Sequence, residues 1–131
     1  MSNEATKVEG PYEVHDFTVA SGTAISASSL LSLADPRTAA LSNSAVLPFA
    51  GIAFTEKEAG DSSTQLGLAT TGTWLLTASG TIPAGSIVAL SGSNFIRKAI
   101  AADYLSGTIV GKAYESMTEG TTGEVKVGVL V

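Results

Sequence analysis

The chain has 131 residues, enough for one domain or two small fused units, and 44% of them are hydrophobic, enough for a packed core. Only 15% are charged, the net charge is −5 and the seven basic residues are scattered, which argues against a nucleic-acid partner because phosphate affinity comes mainly from Lys and Arg. The lack of cysteine excludes disulfides and thiolate metal sites, and no stretch approaches the roughly 20 apolar residues of a membrane-spanning helix. In place of charge stand 16 Ser, 15 Thr and 14 Gly, a composition that suits short strands and tight turns.

No apolar run follows Met1, so no secretory signal is expected. Residues 1 to 10 are polar, with Asn3, Glu4, Lys7 and Glu9, and Gly10-Pro11 punctuates their end. Tyr12, Val14, Phe17 and Val19 follow, alternating on each side of a phase slip near His15-Asp16, which suggests a bulge or a linker entering a strand. The segment 1–19 therefore reads as an extended N-terminal arm, ordered by adding a strand to a sheet edge on a partner.

The remainder reads as a diverged duplication: a first β copy over 20–72 and a second over 73–131, sharing a core. Ser21-Gly22-Thr23 returns as Ser79-Gly80-Thr81, Leu30–Leu33 as Ile87–Leu90, Gly51-Ile52-Ala53-Phe54 as Gly111-Lys112-Ala113-Tyr114, and Gly60 as Gly120. Leu66 and Leu68 align with Val127 and Val129 if one residue is inserted, giving a period of about 60 residues. Each copy predicts a strand, a tight turn (Asp35-Pro36-Arg37 or Gly92-Ser93-Asn94) and a return strand (Thr38–Leu41 or Phe95–Ala99). A strand carrying the Gly-x-Ala-aromatic element, an acidic loop and an alternating closing strand complete it, the last clearest as Val125, Val127, Val129 and Val131. Trp74-Leu75-Leu76 is expected to be a strand joining the copies, with Trp74 a core or interface anchor. Helix is expected only as a short turn within Ala99–Leu105. A half of some 55 residues is marginal alone, so the copies must lean on each other or on neighbours. The expected fold is all-β: two small β-barrel or sandwich (β-tulip-like) copies in tandem behind the arm.

Catalytic chemistry finds little support. His15 is the only histidine and has no nucleophile elbow to serve. The acidic loop with Glu56, Glu58 and Asp61 lacks the dense spacing of a calcium loop, and Glu115, Glu119 and Glu124 are spread wider still. Gly111-Lys112 lacks P-loop spacing, and its glycine reads as a bulge or a close approach of backbone. No enzyme activity, cofactor or metal is expected.

Two sets of residues carry a family resemblance. Leu31–Leu33, Asp35–Thr38, Gly51-Ile52-Ala53, Thr64–Ala69 and Gly72-Thr73-Trp74 fall in an order that resembles the lambda-type trimeric head decoration proteins of tailed phages. Gly80, Ile82-Pro83-Ala84-Gly85, Val88, Gly111-Lys112-Ala113 and Gly123-Glu124-Val125-Lys126-Val127 are similar to a wider group of small phage proteins associated with the capsid. Ile82-Pro83-Ala84-Gly85 also resembles the β-clip modules of flagellar and antifreeze-like proteins. The decoration resemblance implies a non-enzymatic cement protein of a bacteriophage virion. It implies a major capsid protein as partner, a homotrimer on the outer capsid surface, and neither nucleic acid nor membrane. Tyr12, Val14, Phe17, Val19 and Trp74 are the candidate capsid or partner contacts. The alternative is a carbohydrate- or host-surface-binding β module of a phage fibre.

Overall fold

The computed structural model describes residues 4–10, 12–41, 48–60 and 64–128. Asp61 and the last two valines of the alternating run, Val129 and Val131, lie outside them. Strands and bridges account for 53% of the described residues and helix for 5%, arranged as two closed five-stranded barrels, as the composition and turn pattern lead one to expect.

The first barrel is the ring β2 (Val14–Thr18), β4 (Thr38–Leu41), β3 (Leu30–Asp35), β5 (Phe49–Ala53) and β6 (Gln65–Ala69). The second is the ring β7 (Gly72–Ala78), β9 (Phe95–Lys98), β8 (Ile87–Gly92), β10 (Ile109–Ala113) and β11 (Thr122–Val127). In each ring the opening strand runs antiparallel to the closing one and parallel to the return strand: β2 with β6 and β4, β7 with β11 and β9. Closure removes the free edges that a five-stranded open sheet would present. The isolated bridge Ile25 to Lys57 recurs as Ile82 to Met117.

Three expectations are revised. The opening strand of the first copy is Val14–Thr18, so the repeated unit starts inside the segment read as an arm. That strand is regular over all five residues, without a bulge at His15-Asp16; the apparent slip arises because Val14 is 43% exposed while Phe17 and Val19 face the core. The arm itself is ordered against its own chain: β1 (Thr6–Glu9) adds an antiparallel strand to β7, with Thr6 opposite Leu75 and Lys7 opposite Trp74. Thirdly, Ala53 pairs with Leu68 and Ala113 with Val125, so Leu68 corresponds to Val125 and Leu66 to Gly123, not to Val129 and Val127. A sliding error of four residues leaves the alternation of a strand in phase, so the hydrophobic pattern cannot detect it.

The first core contains Val19, Ile25, Leu31, Ala39, Ala53, Leu66 and Leu68. The second contains Trp74, Leu76, Ile82, Val88, Leu90, Ile96, Val110, Ala113, Met117, Val125 and Val127. At matching positions the second barrel places Ile96 and Val110 where the first has Ala39 and Ala50. Leu30, Ile52 and Ala69, from the outer face of the first barrel, belong to the core cluster of the second. Leu30 and Ile52 are fully buried there, each contributing on the order of 1.5–3 kcal/mol.

Candidate functional site

The titratable groups form structural ties. His15 Nε2 lies 3.3 Å from Glu13 Oε1, with both side chains largely in solvent. Glu119 accepts the Gly80 N–H at 2.7 Å and Glu115 accepts the Glu124 N–H at 2.7 Å, so each carboxylate pins a loop. Lys57 is buried, and its ammonium donates to the carbonyls of Ser21 at 2.8 Å and Thr23 at 3.1 Å, where the second barrel has the thioether of Met117. Among the described residues no group of three His, Asp or Glu is placed to hold a metal ion. Two surface indentations among the described residues, about 200 Å³ beside Ile25 and Lys57 and about 260 Å³ beside Gly72 and Lys126, are smaller than the usual small-molecule pocket of about 300–1,000 Å³.

The five candidate contact residues divide into two groups. Val19 (2% exposed) is core of the first barrel and Trp74 (0%) core of the second, so neither presents surface. Phe17 is half-buried against the first core, with the Arg37 guanidinium 4.9 Å from its ring centroid. Tyr12 sits between the barrels, its ring centroid 5.9 Å from that of Phe54 and 5.3 Å from that of Trp74. The Lys7 ammonium lies 4.1 Å from the centroid of Phe54, tying the N-terminal strand into the same cluster. Only Val14 offers an open apolar surface.

A more coherent apolar surface lies elsewhere, on the helix α1 (Ala101–Ser106), at a place where the second copy is longer than the first. Ile100, Tyr104 and Leu105 are 63%, 52% and 94% exposed. A buried polar anchor holds this short helix. The Asp103 carboxylate takes two hydrogen bonds from Arg97, at 2.7 and 2.8 Å, one from the Ile100 N–H at 2.7 Å and one from the Thr108 hydroxyl at 2.8 Å. The Arg97 guanidinium, foremost among these donors, holds the carboxyl well below the usual carboxylate range. Gly107 ends the helix at φ +77°, and its carbonyl accepts the Phe49 N–H of the first barrel at 2.9 Å. The helix is thus anchored by hydrogen bonds and apolar at its exposed end. A short helical turn was expected within Ala99–Leu105, but that its apolar residues face solvent was not, because they look like those of any short buried turn.

Leu30, Ile52, Ala69 and Asn94, at the joint between the barrels, were not among the candidates. Leu30 lies opposite Ile52 and Ile52 opposite Ala69, so these residues line one face across three strands. Asn94, at the tip of the β8–β9 turn, reaches across, and its Oδ1 accepts the Leu30 N–H at 2.9 Å in a fully buried hydrogen bond.

The geometry defines a class: a tandem pair of small, closed five-stranded β-barrels. No protein-family model matches the chain, and no curated protein matches it. Among solved structures it is similar to the N base of the head fiber gp8.5 of bacteriophage phi29, with a TM-score of 0.53 and 16% identity, over 89% of this chain and 94% of that one. At that identity the likeness establishes the fold.

Proposed function

We propose that this protein is a non-enzymatic structural component of a phage head that binds the outer surface of the assembled capsid and stabilises it. The observation that carries this reading is the likeness, over nearly the whole of both chains, to a protein of a phage head. The decoration-protein motifs of the sequence and the scarcity of site chemistry point the same way. A protein that binds the assembled shell but not its free subunits stabilises the shell by mass action. Three copies clustered at a local three-fold position would multiply that effect without new kinds of contact. The major capsid protein is the proposed partner, and the apolar end of α1 is the proposed contact, since an exposed apolar patch marks an interaction surface.

The test is co-sedimentation with shells assembled from the cognate major capsid protein. Leu105→Asp, at a side chain 94% exposed, should leave the thermal melt unchanged and reduce shell binding at least tenfold. Lack of binding by the unaltered protein would overturn the reading, whereas binding unaffected by Leu105→Asp would move the contact away from α1. The second reading is a carbohydrate- or host-surface-binding β module of a phage fibre, favoured by the likeness to the base of the phi29 head fiber. A glycan array separates the two, because a pure decoration protein binds nothing on it.

A further inference from the structure

Because the barrels are copies, positions in the joint between them have counterparts on the other barrel that, among the described residues, lie outside the joint. On the receiving side, Leu30, Ile52 and Ala69 line up across β3, β5 and β6. By the same register their counterparts are Ile87, Lys112 and Lys126 across β8, β10 and β11. The residues turned inward beside them match as well, Leu31, Ala53 and Leu68 against Val88, Ala113 and Val125, all fully buried. On the inserting side, Asn94 at the β8–β9 turn corresponds to Arg37 at the β3–β4 turn, and both have left-handed backbones, at φ +68° and +52°. In the mated joint these residues are buried; Lys112, Lys126 and Arg37 are exposed. At three matched positions, then, a neutral residue in the joint has an exposed cation as its counterpart. The chain has only seven Lys and Arg in all, so three at these places is a concentration.

A joint between unlike faces repeats unless something stops it: the first barrel of one copy would seat on the second barrel of the next, and a filament or ring would grow. We propose that the Ile87–Lys112–Lys126 face is a latent barrel-docking site for a second copy of this chain, and that Lys112 and Lys126, opposed by the incoming Arg37, hold it shut. Docking would strip water from two ammonium groups and bring a guanidinium, a third like charge, beside them. Arg37 carries donors only, so it would meet the Ile87 N–H with a donor where Asn94 offers Leu30 an acceptor. In the folded chain the Arg37 guanidinium is instead occupied at home, donating to the Asp16 carbonyl at 2.6 Å. Copies gathered on a shell therefore meet through other faces. This inference is independent of what the protein binds.

The experiment uses the full chain carrying the joint's own residues, R37N/K112I/K126A, in sedimentation velocity over a range of concentrations. The unaltered protein should keep one sedimentation coefficient, and the triple variant should form a concentration-dependent ladder of larger species with an unchanged far-ultraviolet spectrum. K98I, which adds a comparable apolar side chain at an exposed position away from that face, should form no ladder. K112E/K126E keeps the face charged but attractive to Arg37, and should associate at low salt and dissociate at high salt; it decides the matter if the triple variant does not fold. A folded triple variant that sediments like the unaltered protein overturns the proposal. So does an equal ladder from K98I, a ladder from the unaltered protein itself, or, should the triple variant not fold, a K112E/K126E variant without salt-sensitive association.

Discussion

Asp103 shows how a single carboxylate can fix a surface feature. It receives four hydrogen bonds from Arg97, Ile100 and Thr108 while only 4% exposed, so its charge is compensated on every side. Asp103→Asn removes the charge and leaves Arg97 half-paired; it should cost about 2–3 kcal/mol at neutral pH by denaturant titration. The pH dependence follows from the direction of the shift. The folded carboxyl is more acidic than the unfolded one, whose pKa is about 3.9. Its contribution is therefore complete above the unfolded value and declines as the pH falls below about 4, toward the lower folded value. The stability gap between the native chain and Asp103→Asn should be constant from pH 7 to about 5 and narrow as the pH drops toward 2. A gap independent of pH would show that the hydrogen bonds matter and the charge does not.

At the scale of the strand, Gly111 is where β10 crosses β11. A Cβ built there would fall on the Lys126 carbonyl oxygen and against the Val127 backbone, which no rotamer can relieve. The pairing of β10 with β8 also shifts register between Ile109 and Gly111, so the strand carries a bulge beside the close approach. Gly111→Ala should destabilise by about 3 kcal/mol or more, because the strain lies in backbone and cannot be repacked. The expected readout is a lower melting temperature with native strand content retained below it. The sequence reading of this glycine, as a bulge or close approach and not a phosphate loop, agrees with the structure for this reason.

At the scale of the molecule, the first barrel depends on the second. Ile52 is fully buried at the joint although it lies on the outside of its own barrel. Ile52→Ala should cost about 2–5 kcal/mol, the usual range for a buried aliphatic truncated to Ala. Lys112→Ala, at the matching position of the other barrel, should change stability by less than about 0.5 kcal/mol. Equal effects at the two sites, measured by chemical denaturation, would mean that the barrels stand independently. Tyr12 works at the same scale, since its ring contacts Phe54 of one barrel and Trp74 of the other.

Much of this was legible in the residues alone. Alternation, turn residues and the recurrence of Gly51-Ile52-Ala53 as Gly111-Lys112-Ala113 determine an all-β tandem repeat, because strand period and turn chemistry are local properties. The turns at Pro36-Arg37 and Ser93-Asn94, and the short helix after Ala99, were readable for the same reason. What the sequence did not determine is long-range. An even slip of the closing strand preserves its alternation, so only the pairing of Ala113 with Val125 sets the register. Whether an apolar side chain faces an interior, a sister barrel or solvent depends on what is placed opposite it. Val19, Leu30 and Leu105 are alike as symbols, and tertiary structure alone makes the first core, the second joint and the third exposed surface.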